Sequence, residues 1–195
     1  METISFNIYK FEELNEEAQA RAIENSRSFI AENLCSFNDE DFRGTLDKIE
    51  DVFQIKVRDL EYIPQFTLTS SRWRDVEDEE GGKMLLRYLE DVECSLDNRK
   101  RYYRNGKKRI ARTMHDAYCY CLTGVCSDSA VDKVLNNMYD AVRRGDSIRD
   151  FVKNMLEDFA DSWTEANNSS WNDEVVKDEI IALEMDFRED GRRYC

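Results

Sequence analysis

Cysteine and histidine side chains that could bind a metal are concentrated in one short segment. Cys119, Cys121 and Cys126 follow His115, the only histidine of the chain, and thiolate and imidazole are the groups that bind structural zinc. Structural zinc normally takes pairs of ligands from two separate turns, whereas Cys119 and Cys121 alternate on a predicted strand and share one face of it. We therefore predict no metal, and we interpret both cysteines as residues of a buried strand face.

Histidine-based catalysis would depend on the same segment, because His115 is its only candidate. On a strand, Asp116 lies on the opposite face from His115, which disfavours a His–Asp pair. The chain has no Gly-x-Ser-x-Gly sequence, phosphate-binding loop or dinucleotide fingerprint. We expect no enzymatic activity and no cofactor, and the catalytic alternative is a small nucleic-acid-modifying enzyme centred on His115.

The strongest local positive charge lies between residues 99 and 112, which hold eight basic side chains and no acid. Together with Tyr102 and Tyr103, such a run has the groups that grip a phosphate backbone and stack on bases. The alternative is a solvated hairpin with Asn105-Gly106 as its turn, which neutralises the protein's own acids or forms a homodimer interface. We predict a second contact surface made by Arg99, Lys100, Arg101, Arg104, Lys107, Lys108, Arg109 and Arg112.

The whole chain is strongly acidic, with a formal net charge of −14 that becomes −22 when the basic run is left out. Nucleic-acid binding through phosphate contacts normally needs a basic surface, so this total argues against direct binding of a nucleic acid. It fits instead a partner that is itself basic.

Acidic side chains cluster in two places, one between Asp75 and Glu80 and one between Glu157 and Asp190, where twelve acids face two bases. A row of carboxylates can imitate a phosphate backbone and attract the basic groove of a nucleic-acid-handling protein. The alternative is that these acids only keep a helical surface soluble. The predicted partner-binding acids are Asp75, Glu77, Asp78, Glu79, Glu80, Glu157, Asp158, Asp161, Glu165, Asp173, Glu174, Asp178 and Glu179.

Three tryptophans are candidates for contact residues. Trp163 continues a helical apolar stripe, so we interpret it as a core residue. Trp73 and Trp171 stand in polar, loop-like stretches, and an exposed tryptophan is a frequent interface anchor. We predict that Trp73 and Trp171 contact a partner.

The first half of the chain has patterns typical of both strands and helices. Alternation over Ile4–Tyr9 predicts a strand, and Asn15 predicts the cap of a helix that reaches Leu34. A second helix, capped by Asn38 or Asp39, is predicted from apolar spacings of three and four up to Phe53. Alternation between Gln54 and Leu68 predicts a pair of strands or a hairpin.

The second half is predominantly helical. A loop is predicted over Arg72–Gly82, a helix from about Lys83, and a strand-rich run over Ile110–Leu122. Three helices are then predicted to close the chain. The first carries Val131–Val142 with Ser127 or Asp128 as its cap, the second carries Ile148–Trp163, and the third is capped by Asn172 or Asp173.

These elements predict an α+β fold, in which a small antiparallel sheet packs with five to six amphipathic helices in a single compact domain over 1–195. A helical C-terminal subdomain over 127–195 is the variant of this arrangement. The single proline and seven glycines favour long helices. We find no apolar run long enough to span a membrane and no signal peptide, so we expect six cysteine thiols and a cytoplasmic protein.

The phrase "YKFEELNEEAQARAIE" near the N-terminus resembles the opening of a family of small bacteriophage and prophage proteins, often labelled antitoxin-like. "IKVRDLEYI", "MHDAYCY" and the ending "IIALEMDFREDGRRY" follow in the family's order. Family members commonly carry a Gly-rich turn where this chain has "SSRWRDVEDEEGG". The resemblance implies a phage or mobile-element origin rather than a mechanism.

We expect from these observations a phage-derived binding protein that works in the host cytoplasm. Its acids would occupy the basic groove of a host protein or ribonucleoprotein, such as a CRISPR effector or another nucleic-acid-handling defence complex. An antitoxin-like protein that sequesters one toxin is the alternative within the class of binding proteins.

Overall fold

The computed structural model describes residues 7–60, 63–74, 81–96, 102–104, 107–109, 122–123, 128–136 and 138–194. The chain divides into two compact units, each described below by itself. Unit 1 comprises residues 1–39 and 164–195, and unit 2 comprises residues 40–163. None of the helices in the described ranges is long and apolar enough to cross a membrane.

Seven α-helices and six strands lie within the described residues. A 3₁₀ turn, Phe11–Glu13, joins the first strand to the first helix. In chain order the elements are β1 (Tyr9–Lys10), α1 (Glu16–Phe53), β2 (Ile55–Asp59), β3 (Gln65–Leu68), α2 (Ser71–Arg74), α3 (Gly81–Leu96), β4 (Tyr102–Arg104), β5 (Lys107–Arg109), α4 (Ser129–Asn136), α5 (Met138–Arg144), α6 (Ile148–Ser169), α7 (Asp173–Ala182) and β6 (Asp186–Phe187).

Unit 1 joins the two ends of the chain. Strand β1 pairs antiparallel with β6, so that Tyr9 lies opposite Phe187, and Lys10 Nζ lies 2.8 Å from Asp186 Oδ1. The apolar side chains of the opening segment pack against those of α7 and β6. The buried core of the unit consists of Phe11, Leu14, Ala18, Ala22, Ile30, Val176, Ile180, Met185 and Phe187.

The start of α1 agrees with the predicted cap, because the backbone N–H of Ala18 donates to Asn15 Oδ1 at 2.9 Å. The predicted break at Asn38 or Asp39 is wrong, since α1 continues without interruption to Phe53. The polar side chains at the expected break make tertiary contacts instead of capping a helix. Asn38 Nδ2 donates to Ser170 Oγ at 3.3 Å, and Asp39 Oδ1 accepts from Asn167 Nδ2 at 3.1 Å.

Unit 2 contains the predicted hairpin. Strands β2 and β3 pair antiparallel, with Ile55 opposite Leu68 and Val57 opposite Phe66. The register shifts between Val57 and Asp59, which places a β-bulge at Arg58. Ile55 and Leu68 are buried and the alternate residues face solvent, as a half-buried hairpin requires.

Aromatic side chains pack against one another in the core of unit 2. The rings of Phe42 and Phe159 lie 5.3 Å apart between centroids. Trp73 packs edge-on against Tyr88 at 5.6 Å. Trp73 is only 1% exposed, so the loop predicted over Arg72–Gly82 is wrong at its start, where the chain forms α2. The prediction that Trp73 presents an exposed ring to a partner is also wrong, because this core buries it.

Helices α3 and α5 approach each other closely at three glycines. A Cβ atom on Gly81 would lie 2.5 Å from the carbonyl oxygen of Gly145, and one on Gly82 would lie 2.9 Å from that of Val142. Only glycine permits this separation of the two backbones. The described part of the helix predicted from about Lys83 also includes Gly81 and Gly82.

Asp128, one of the two predicted caps before α4, is fully buried. Its Oδ2 atom accepts from the backbone N–H groups of Leu122 and Thr123, at 2.9 and 2.7 Å. Its Oδ1 atom accepts from the hydroxyls of Thr123 and Thr45, at 2.7 and 3.0 Å. The carboxylate thus holds residues 122–123 to α1 of the same unit.

The predicted α+β class is confirmed. Seven α-helices replace the predicted five to six, and the strands form three separate pairs, β1–β6, β2–β3 and β4–β5. One helix was predicted over Val131–Val142, and the described residues on both sides of position 137 are helical, in α4 and α5. The predicted domain over 1–195 and the subdomain over 127–195 stay predictions. Residues 4–6, 61–62 and 110–121 of the predicted strands lie outside the described residues.

Candidate binding surface

Most of the net negative charge of the chain belongs to unit 1. Its residues include 17 acidic and 7 basic side chains, whereas those of unit 2 include 25 acidic and 21 basic side chains. Unit 1 therefore accounts for −10 of the net −14, although it is the smaller unit. A basic partner would be attracted most strongly to unit 1.

Helix α7 carries four of the predicted partner-binding acids on unit 1. Asn172 caps the helix, and its side chain accepts from the N–H of Glu174 at 2.9 Å. Glu174, Asp178 and the apolar Ile181 follow at spacings of four and three, so they form one stripe, and all three are exposed. Among the described residues, neither Glu174 nor Asp178 has an ion-pair partner. These carboxylates are available to a ligand.

Asp173, another predicted binding residue, is already engaged within unit 1. Arg27 of α1 lies 2.7 Å from Asp173 Oδ1 and 3.0 Å from Glu24 Oε2. Its guanidinium also donates to the carbonyl oxygen of Trp171 at 2.8 Å. The hydrogen bonds to Asp173 and Glu24 raise the pKa of Arg27 above its usual value. Asp173 therefore ties α7 to α1.

The other predicted acids divide between the units. Glu165 is exposed and Glu179 half-buried in unit 1, whereas Glu157, Asp158 and Asp161 belong to unit 2. Glu157 forms an ion pair with Lys153, whose Nζ lies 3.6 Å from Glu157 Oε1. The remaining predicted acids, from Asp75 to Glu80, lie outside the described residues. One continuous negative face over all these acids stays a prediction.

Exposed apolar side chains accompany the acids of unit 1. Seven of the ten large apolar side chains that are exposed among the described residues belong to this unit. Phe37 is 68% exposed, and Trp171 is 44% exposed immediately before the cap of α7. This exposure agrees with the predicted position of Trp171 at a surface. The seven residues are Ile8, Phe29, Phe37, Trp171, Ile181, Leu183 and Tyr194.

Trp163 has the core role predicted for it, although it is only partly buried. Its ring stacks on Phe42 with 5.5 Å between centroids, and it meets Phe159 edge-on at 6.1 Å. All three residues belong to unit 2. The ring is therefore held by the aromatic core rather than presented to a ligand.

The predicted basic hairpin is present in its backbone, since β4 pairs antiparallel with β5 and Arg104 lies opposite Lys107. The predicted turn residues, Asn105-Gly106, lie outside the described residues. The side chains of this hairpin are not among the described parts of the structure. The other predicted basic residues, Arg99, Lys100, Arg101 and Arg112, lie outside the described residues.

The residues considered for catalysis and for metal binding also lie outside the described ranges. They are His115, Asp116, Cys119, Cys121 and Cys126. Cys35 is a free thiol, as predicted, and its Sγ lies 3.6 Å from the carbonyl oxygen of Asn167. In the described residues, no three His, Cys, Asp or Glu side chains are grouped as metal ligands.

Sequence reasoning missed a second set of charged residues, which lies on unit 2. Arg58, Arg74, Arg149 and Lys153 line two clefts beside the β2–β3 hairpin. Arg58 and Arg74 are far from Arg149 and Lys153 in the chain, so no charge run reveals the set. The available signal was the spacing of Arg149 and Lys153, which places two cations on one side of α6.

Comparison with protein-family models, curated proteins and solved structures finds no match to the chain. The fold and the surface chemistry of unit 1 therefore provide the basis for a functional proposal.

Proposed function

We propose that the chain is a non-catalytic binding protein that uses unit 1 to occupy a basic surface of a partner macromolecule. One observation carries the proposal: the unit with most of the net negative charge also has most of the large apolar side chains that are exposed among the described residues. Carboxylates steer and orient a basic partner, while buried aromatic and aliphatic groups supply affinity.

Helix α7 combines both features most closely. The stripe of Glu174, Asp178 and Ile181 begins just after Trp171. The Arg27 contacts to Asp173 and to the Trp171 carbonyl fix the turn that presents this tryptophan. A fixed turn loses less conformational entropy when a partner binds.

The partner that we propose is a host nucleic-acid-handling defence complex, such as a CRISPR effector, acting in the host cytoplasm. The support for this finer proposal is the resemblance to phage proteins together with the acidic surface. A complex that grips nucleic acid has a positively charged groove, and a surface rich in carboxylates competes for it. The inhibition would be by occupation, without turnover. An antitoxin role would use the same surface against a toxin.

A binding assay with matched variants tests the proposal. The chain is immobilised and exposed to a panel of purified CRISPR effector complexes and to purified toxins. The test variant is Glu174→Gln/Asp178→Asn/Glu179→Gln, and the matched control is Glu40→Gln/Asp47→Asn/Glu90→Gln on unit 2, which removes the same charge from exposed residues.

We expect an effector to bind, with affinity about tenfold lower for the α7 variant and unchanged for the control. Trp171→Ala should cost about 2 kcal/mol of binding free energy, as expected of an interface anchor. The association rate should fall as salt is added, because salt screens steering. Equal losses for both triple variants would contradict the use of unit 1, and binding of a toxin alone would favour the antitoxin role.

A further inference from the structure

We infer that a groove on unit 2 binds the phosphate groups of a single-stranded nucleic acid. The groove consists of two neighbouring clefts, of ≈ 390 and ≈ 350 Å³, which share Arg58, Thr67 and Arg149 in their walls. The β2–β3 hairpin forms one wall and the first turn of α6 forms the other. Because the clefts share these residues, they adjoin each other, and we treat them together as one groove.

Cations dominate the groove. Arg58, Arg74, Arg149 and Lys153 line it, and Asp150 is the one carboxylate among the lining residues. Asp150 is engaged with the cap of α6, since its Oδ2 accepts from Ser147 Oγ at 2.8 Å. The lining residues therefore have a formal net charge of +3 on a chain whose total charge is −14, although Lys153 also pairs with Glu157 at 3.6 Å.

The two central arginines have no ion-pair partner among the described residues. Some other cations in the described part of the unit are paired, as in Arg72 with Asp91 at 2.7 Å and Arg143 with Asp140 at 2.6 Å. Arg58 and Arg149 therefore leave their positive charge available to an anionic ligand.

Two features of the backbone favour an anion at this place. The β-bulge falls at Arg58, and bulges commonly redirect a side chain towards a site. Arg149 lies in the first turn of α6, where the helix dipole disfavours a cation but favours a bound phosphate. Arginine at both positions suits the paired oxygens of a phosphate.

The remaining lining residues favour a nucleic-acid strand over a single inorganic phosphate. Phe66 is half-buried and offers apolar surface beside the cations, and the exposed Thr67 and Gln65 offer hydrogen-bonding groups. A cationic track with an adjacent aromatic side chain is the usual arrangement for binding single strands without sequence preference. The net charge of the chain opposes long-range attraction, so we expect weak binding that depends on the groove itself.

Fluorescence anisotropy with a labelled oligothymidylate of about 20 nucleotides tests this site at low salt. The test variant is Arg58→Gln/Arg149→Gln. The matched control is Arg143→Gln/Arg144→Gln, which removes the same charge from two arginines of α5 that pair with Asp140 and Asp146 outside the groove. Arg58→Lys/Arg149→Lys retains the charge but removes the fork of donors. Circular dichroism checks that each variant is folded.

We expect the wild type and the control to bind equally, the glutamine variant to bind at least about tenfold more weakly, and the lysine variant to lie between them. For three phosphate contacts, the plot of log K against log salt should have a slope of about −2. Undiminished binding by the glutamine variant would overturn the site and favour the 99–112 run. The proposal of a nucleic-acid ligand would be contradicted if the wild type did not bind the oligothymidylate. It would also be contradicted if an oligoglutamate peptide competed as well as unlabelled oligothymidylate.

Discussion

At the scale of single residues, the packing of the chain ends depends on Gly191. Its φ angle of +80° lies in the left-handed region, and an added Cβ atom would collide with the carbonyl oxygen of Ala18. Gly191 follows the strand that pairs with β1, so this contact brings the C-terminal turn against α1 in the core of unit 1. A larger residue cannot adopt this conformation without strain.

We predict that Gly191→Ala lowers the free energy of unfolding by about 2–4 kcal/mol, through backbone strain and overpacking. Gly44→Ala is the control, because a Cβ atom there meets nothing within 4 Å inside α1. That control should raise stability by about 0.5–1 kcal/mol. Urea denaturation followed by circular dichroism measures both, and equal effects of the two substitutions would contradict the close contact.

Residue-scale prediction from the sequence succeeded where the cause is local. Asn15 caps α1 as predicted, and Asn172 is the cap of α7 from the predicted pair Asn172 or Asp173, because a cap depends only on the next two or three residues. Trp73 was misplaced because its burial depends on Tyr88, fifteen residues away in another helix. Arg58 and Arg149 were missed because only the hairpin and α6 together make a groove.

At the scale of elements, Tyr88 joins α3 to the end of α1. Its hydroxyl donates to the carbonyl oxygen of Phe53 at 2.6 Å, and its ring is buried against Trp73. Burial raises the pKa of Tyr88 well above its usual value, because the ionised phenol would lose its hydration. The folded state therefore holds the phenolic proton more tightly than the unfolded state.

This pKa difference predicts how stability depends on pH. The contribution of Tyr88 is present below its unfolded pKa of about 10 and is lost as the pH rises above that value. Tyr88→Phe should cost about 1 kcal/mol at pH 8 through the lost hydrogen bond, and this deficit should shrink above about pH 10. Urea denaturation at pH values across this range measures the deficit at pH 8 and its decrease above about pH 10. The exposed Tyr139→Phe is the control. A constant deficit at all pH values would contradict the buried phenol.

Element prediction was accurate for periodic patterns and poor for boundaries. The β2–β3 hairpin, α3, α6 and α7 occur where their patterns predict them. The two helices predicted before Phe53 are one, because Asn38 and Asp39 find partners in the segment 167–170 of unit 1. Polar residues inside a helix thus look like caps until their tertiary partners are known.

At the scale of the whole molecule, charge is distributed unequally between the two units. Unit 1 carries most of the net negative charge and, among the residues that the structure describes, most of the exposed large apolar side chains, while the basic groove lies on unit 2. Composition predicted an acidic binding protein, but it could not predict this division, since unit 1 is assembled from the two ends of the chain. The acids between Glu157 and Asp190 belong partly to each unit.

The most direct test of the proposed function is a hydrogen–deuterium exchange footprint of the chain alone and in complex with an effector that binds it. If unit 1 is the binding surface, exchange should slow by about tenfold or more at amides of residues 165–190, including α7 and the turn at Trp171. The β2–β3 hairpin should be unaffected by the protein partner. Protection confined to unit 2, with α7 unchanged, would contradict the account.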